Sequence, residues 1–385
     1  MEFQEILPEP ESRYDRHKLI QWWDQDRLRS AKVLVVGAGA LGNEVLKNLA
    51  LVGVGKISIV DFDTVSITNL TRSVLFRESD VGLPKVEVAR KRLLEINPEI
   101  SIEAINGDLE FDLGVGDVRE KDLIVGCLDS VNARWAINQI AYRAGIPWIN
   151  AGISVAEGEV SFFDPNTEAA CYECTISDRM WKRRNQRYSC QGTKLDIPEK
   201  AMPTTAPIAS IVAAMEVQQA LLYLHGKKGF LDAGEKISLG LNPWSAYKTR
   251  IQRQKYCLAH DLTIEPKFNF KYDPNLKIKE VLQHIENCGF SEAVLWLRNP
   301  TIDTMGCLNP DCAYIEQINA PLSKFPDSKL ACPQCDRERD FEAIENISLA
   351  GPQINATLRE LCLPENEILH CETARGQIAI QFSRT

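Results

Sequence analysis

Hydrophobic and polar positions alternate between two periods along this chain. Lys32-Val-Leu-Val-Val36 is a short apolar run that ends at Gly37. From Ala40 to Leu51 the apolar residues fall at helical spacing, with Leu41, Val45, Leu46 and Leu49 on one face. Lys56-Ile-Ser-Ile-Val60 is a second β-branched run, ended by Asp61. Strand, glycine loop, helix and strand in this order predict a βαβ unit, hence a parallel sheet with helices on both faces. The alternation continues with a helix over Val86–Ile96, strands at Ile100–Ile105 and Leu123–Cys127, a helix near Asn132–Ala144 and a strand at Pro147–Ala151.

Beyond residue 152 the character changes. Strand-like Glu159–Phe163 leads into a polar loop with three cysteines and a basic cluster. An apolar helix is predicted over Pro207–Leu224, with Ile208, Ile211, Val212, Met215, Ala220 and Leu221 on one side. Glu216, Gln218 and Gln219 interrupt it, so it reads as a buried helix and not as a membrane span. Residues 261–275 read as a connector. Ile278, Val281, Leu282 and Ile285 mark another helix, and Gln377–Phe382 alternates as a half-buried strand.

Composition narrows the class. The chain has 385 residues, 44% apolar and 25% charged, with a net charge of -9. That is the profile of a folded globular protein of two or three domains, and the acidic balance disfavours a nucleic-acid partner. The acidic start of the chain has no apolar signal core, so a cytoplasmic, reducing location is expected. There, 12 cysteines should serve metals or chemistry more than disulfides.

Four groups of residues carry candidate chemistry. Gly37-Ala-Gly39-Ala-Leu-Gly42 fits GxGxxG between a strand and a helix, where backbone N–H groups can approach phosphates. Asp61 and Asp63 follow at the distance of a ribose-holding acid. This fingerprint suits NAD as well as ATP, so a nicotinamide dehydrogenase stays open at this point. Asn69, Arg72 and Lys85 come after the second strand and Asp129 ends a later one; cations and a carboxylate at strand ends suit a triphosphate with Mg2+. The second group is Cys171-x-x-Cys174 with Cys257-x-x-His260, whose three thiolates and one imidazole would make a closed structural zinc site. Cys307-x4-Cys312 and Cys332-x2-Cys335 form the third, a second zinc site that would staple a small insert at 305–338. Cys127, Cys288, Cys362 and Cys371 lie in apolar runs and read as core residues. Cys190 follows Arg179, Lys182, Arg183, Arg184 and Arg187, cations that favour thiolate over thiol.

Asp61-Phe-Asp63-Thr-Val65, Ser66-Ile-Thr-Asn69-Leu-Thr-Arg72, Gly82-Leu-Pro-Lys85 and Leu128-Asp129 together resemble the MoeB/ThiF/E1 adenylating enzymes, as does Arg13-Tyr-Asp-Arg16. The resemblance spans roughly residues 10–260. It implies a Rossmann-like adenylation domain that activates the C-terminal carboxylate of a ubiquitin-like protein with ATP. Asp63 would hold the ribose, Asn69, Arg72 and Lys85 the phosphates, and Asp129 the Mg2+. Arg16 matches an arginine lent across a dimer, so a homodimer is implied. Ser73 stands where family members usually carry Gln, and His260 where they usually carry Cys.

Cys190, in a loop of about 175–205, resembles the cysteine of E1 catalytic subunits that forms a thioester with the modifier. Residues 355–385 and the helix near 276–285 resemble the ubiquitin-fold domain that recruits an E2 in such enzymes. The expected organisation is therefore an α/β adenylation domain at 1–265 and a small α+β, β-grasp-like domain at 266–385. The expected function is an E1-like enzyme, with an E2-like protein as second partner. A sulfur-carrier adenylyltransferase without E2 transfer, and a non-catalytic scaffold subunit of an E1, are the alternatives.

Overall fold

A computed structural model describes residues 12–176, 204–261, 265–325 and 329–384. Its larger sheet has eight strands: β1 (Lys32–Val36), β2 (Lys56–Val60), β3 (Ser101–Ile105), β4 (Leu123–Gly126), β5 (Trp148–Ile153), β6 (Glu157–Phe163), β7 (Glu235–Leu241) and β8 (Trp244–Arg250). They lie in the order β3-β2-β1-β4-β5-β6-β7-β8. The first five are parallel, and β6 to β8 extend the sheet antiparallel. The order reverses between β1 and β4, which opens a crevice at their C-terminal ends.

Why the strands are parallel follows from their connections. Helices α1 (Gln25–Ser30), α2 (Ala40–Val52), α3 (Lys85–Ile96), α4 (Val115–Arg119) and α5 (Val131–Ala144) alternate with them. α6 (Ala206–Leu224) returns the chain across the sheet before β7. Val33, Val35, Leu46, Leu49, Ile59, Val86 and Val212 meet in one core. Leu34, Val36, Val115, Ile137 and Trp148 meet in another. Alternate residues of β1 thus serve the two cores, as period two requires.

Most expected elements form within two residues of their predicted ends. Helix α6 is where the pattern misleads. Ile211, expected inside, is 37% exposed, whereas Glu216 and Gln219 are buried. The helix is apolar almost all round, so periodicity says little about which side is covered. Gln219 settles its amide on Leu231, donating to the carbonyl at 3.0 Å and accepting from the N–H at 3.1 Å. By length and composition this helix could cross a membrane, yet half of it packs inside the protein, against α2, β5 and β6.

A second sheet holds the C-terminal chain: β9 (Pro266–Lys271), β10 (Val294–Cys307), β11 (Ile315–Pro321), β12 (Arg339–Ser348), β13 (Glu367–Thr373) and β14 (Gly376–Ser383). β9 occupies the stretch expected to be a connector, pairing parallel with β14. Its alternating Phe268 and Phe270 lie among only six residues, too few for a clear pattern beside lysines. α7 (Ile278–Asn287) packs Ile278, Val281, Leu282 and Ile285 against this sheet. Cys127 and Cys371 are buried as expected, and Cys362 is partly buried. Cys288 is exposed, against expectation, because it lies one position past α7, where the chain has left the packed face.

Glu235 anchors the start of β7. Burial pushes its carboxyl up. Contacts from Lys248 at 2.6 Å, the Asp232 N–H at 2.9 Å and Arg250 at 3.2 Å outweigh that and hold it down at about 2. A lowered acid stabilises the fold above its ordinary pKa and loses that effect as pH falls towards the folded value. The denaturant midpoint of the wild-type chain should therefore exceed that of Glu235→Gln at pH 7. The gap should shrink below about pH 4.5 and close near pH 2. A gap that stays constant with pH would exclude the ionised carboxylate as its source.

Candidate functional site

At the crevice the chain turns out of β1 through Gly37, whose φ is +96°. A Cβ there would stand 2.5 Å from the carbonyl oxygen of Cys127, the residue just after β4. Gly42 has a different duty: a Cβ on it would lie 2.0 Å from the Gly37 carbonyl oxygen. It lets α2 start tight against the loop and does not face the cavity. Nothing lies within 4 Å of a Cβ on Gly39, which borders open space.

That space is a cavity of about 840 Å³. Gly37, Gly39, Asp61, Asp63, Asn69, Arg72, Lys85 and Asp129 all line it, as their positions at strand ends imply. Asp61 directs its carboxylate at backbone: Oδ2 accepts from Ala38 N–H at 2.7 Å and Oδ1 from Asp63 N–H at 2.8 Å. It therefore shapes the glycine loop. Burial raises its pKa, against the pull of Lys85 and of these hydrogen bonds. Asp63 extends further out and pairs with Lys85 Nζ at 2.6 Å. Lys85 starts α3 and is buried but for its reach into the cavity. Arg72 is braced by donating to the Thr68 carbonyl at 2.7 Å, and Asn69 accepts from Ser66 N–H at 2.9 Å, which leaves its amide N–H groups for a ligand. Asp129 is exposed just beyond β4. Arg16 caps a short turn at His17–Leu19, is exposed, and does not line the cavity of its own chain.

Two site residues escaped the sequence reading. Asn43, fully buried on α2, donates to the Ala38 and Gly39 carbonyls at 2.8 and 3.0 Å and accepts from Leu75 N–H at 2.9 Å. It ties the glycine loop to the segment that follows Arg72. A polar residue between Leu41 and Val45 on the packed face was the available signal. Arg134 donates to the Leu128 carbonyl at 2.7 Å and to the Ala151 carbonyl at 3.3 Å, bracing the strand ends beside Asp129. The cavity continues past Glu159 and Lys236, paired at 3.0 Å, to Ser245 and Tyr247 on β8. It is therefore longer than a triphosphate site alone.

Both cysteine clusters assemble. Cys171 Sγ lies 3.9 Å from Cys174 Sγ and 3.5 Å from Cys257 Sγ, and Cys174 Sγ lies 3.4 Å from His260 Nε2. A tetrahedron with Zn–S bonds of about 2.3 Å has edges of about 3.8 Å, slightly less towards a nitrogen. The donors fit that ion, and the Gln254 N–H points at Cys174 Sγ from 3.3 Å. In the second cluster Cys307 and Cys335 are 3.4 Å apart, and Cys312 and Cys332 are 3.7 Å apart. In each cluster the four ligand atoms lie within 4.8 Å of one another. The first joins the turn after β6 to the chain after β8. The second closes the far end of β10 onto the entry to β12. Cys190 and its basic cluster lie outside the described residues.

A parallel sheet with a glycine loop, a cation set and a carboxylate at its switch point defines a Rossmann-like nucleotide-binding class. Within that class the identity is specific. The sequence profile of the ThiF family matches residues 14–260, more than half of the chain, and the chain belongs to that family. The molybdopterin-synthase adenylyltransferase of Salmonella typhimurium is 39% identical over 165 residues, 42% of this chain and 66% of that relative. The match thus spans just under two thirds of that relative's length. The SAMP-activating enzyme E1 of Haloferax volcanii is 28% identical over 290 residues, 72% of this chain and 95% of the relative. Among solved structures, Escherichia coli MccB with ATP superposes with a TM-score of 0.53 at 27% identity, covering 65% of this chain and 74% of that one.

Proposed function

We propose that this protein adenylates the C-terminal carboxylate of a ubiquitin-like protein with ATP and carries the activated modifier onward as an E1-like enzyme. The observation that carries the reading is the single cavity into which Asp63, Asn69, Arg72, Lys85 and Asp129 converge beside the glycine loop. The reaction needs a nucleotide held by its ribose and phosphates, with charge neutralised where pyrophosphate departs. Asp63 receives the ribose, and Asn69, Arg72 and Lys85 take the phosphoryl oxygens. Asp129 would hold a Mg2+ ion, which supplies further positive charge to the phosphates. The modifier's carboxylate oxygen attacks the α-phosphorus, the bond to the bridging oxygen breaks, and pyrophosphate leaves. The branch of the cavity towards β8 has room for the extended chain end that carries this carboxylate.

In the second step the Cys190 thiolate attacks the acyl carbon and AMP leaves, which forms a thioester. Residues 266–385 would present that thioester to an E2-like protein, and Arg16 would complete the cavity of a partner protomer. Likeness to a sulfur carrier protein adenylyltransferase of Thermus thermophilus supports a narrower reading, in which a sulfur carrier is activated and the reaction stops at the acyl adenylate.

Cys190→Ala separates the two. With modifier, ATP and Mg2+, the wild-type chain should give an adduct that a thiol reductant cleaves. The variant should keep pyrophosphate exchange within about threefold and lose the adduct, since the two steps use different groups. A full yield of adduct from Cys190→Ala would remove that residue from the mechanism. Exchange without any adduct in the wild-type chain would favour the sulfur-carrier reading.

A further inference from the structure

Arg298 on β10 lies far in sequence from the nucleotide cavity yet reaches the loop that forms part of its wall. Gly107, Asp108, Leu109 and Glu110 line the cavity. Arg298 donates to the carbonyls of Leu109 at 3.2 Å and Leu113 at 3.3 Å, and to that of Glu110. Its side chain is 8% exposed, and its charge is matched by Glu367 of β13 at 2.9 Å, itself fully buried. The loop and the start of α4 that follows it are gripped twice more. Gly116 N–H donates to the Asn366 carbonyl at 2.8 Å, and the ammonium of Lys324 sits 4.1 Å from the centre of the Phe111 ring. A Cβ on Gly114 would lie 2.3 Å from the Glu365 carbonyl oxygen, so the two backbones touch.

Three carbonyls of the loop turn towards one guanidinium and accept from it. Buried acceptors need partners, and a planar fork of five donors can serve several at once. Bonds around Asp108 shape the loop from within, and the second sheet adds a further hold on its path. One face of that path borders the cavity.

We propose that Arg298 is a positioning residue for the nucleotide site, so that ATP affinity and the seating of the C-terminal sheet on loop 107–114 are coupled. The inference rests on the reading of the cavity as an ATP site. Coupling of this kind is reciprocal: if the seated sheet favours bound ATP, bound ATP must favour the seated sheet. It also gives Glu367 a task, because a buried guanidinium without a counter-charge would be costly in this position.

The test uses the full-length chain with ATP and Mg2+ alone, read by calorimetry and by amide hydrogen exchange. Arg298→Met with Glu367→Gln removes both charges of the pair together, and the buried guanidinium of Arg143, which also feels Glu367, keeps Glu173 as a counter-charge. Arg298→Lys retains the charge but cannot reach all three carbonyls. The double variant should bind ATP about tenfold more weakly, and Arg298→Lys should fall between it and the wild type. Exchange should rise across 107–114 in the variants. In the wild type, ATP should slow exchange at 294–298 and 365–367. If the double variant melts lower yet binds ATP with wild-type affinity, Arg298 only supports the fold and the coupling is overturned. If the wild-type chain itself fails to bind ATP, the reading of the cavity falls, and this inference falls with it.

Discussion

Lys85→Ala should lower modifier-dependent ATP–pyrophosphate exchange by about 100- to 1000-fold, the loss typical of removing one preorganised charge from a developing anion. Lys85 is 7% exposed, so its ammonium works in a partly desolvated setting where Coulomb terms are large. Its backbone N–H donates to the Asp63 carbonyl at 3.0 Å, and its Nζ pairs with Asp63 Oδ2, so side chain and main chain fix one another. A direct readout is calorimetric affinity for ATP with Mg2+, which should weaken by about 10- to 100-fold on loss of a charge-assisted contact. Lys85→Met retains the stem and separates packing from charge. If Lys85→Ala and Arg72→Ala both keep exchange within about threefold, the phosphates do not lie on this side of the cavity.

The second large effect concerns the metal clusters. The purified chain should carry two zinc ions, and substituting one ligand in either cluster should remove one of them. Structural zinc contributes roughly 10–16 kcal/mol of apparent binding energy in small zinc domains, so the loss is felt as folding. Cys335→Ser should release the end of the paired strands β10 and β12 to protease while leaving ATP binding within about threefold, because none of the four ligands of that cluster lines the cavity. Cys171→Ser should lower the melting temperature by about 5 °C or more, because Cys171 is fully buried and ties the turn after β6 to the chain after β8. Metal content by elemental analysis checks both. A chain that keeps two zinc ions after Cys335→Ser would refute the second assignment.

Much of this architecture is legible in local pattern. β1, α2 and β2 follow from period two, period 3.6 and a glycine loop, because each depends on neighbours a few residues away. The cysteine spacings likewise announce their clusters, since a metal demands donors of fixed type and count. Less legible are β7 and β8, whose outer strand is exposed throughout and carries no apolar alternation. Nor does spacing alone distinguish Asp61, which shapes the loop, from Asp63, which faces outward: both are acids after a strand, and only the turn decides which oxygen meets which N–H.

What the sequence by itself determined was the parallel α/β order, the nucleotide fingerprint and the donor sets of two metal clusters. All of these are written in residue type and short spacing. Tertiary structure alone decided that Glu216 goes inside while Ile211 stays out, that Asn43 and Arg134 brace the site, and that Arg298 reaches loop 109–113 from the other sheet. These last depend on which buried polar groups meet once the whole chain has folded. Such an account of buried polar groups closes only over the whole fold, across separations that no local pattern spans.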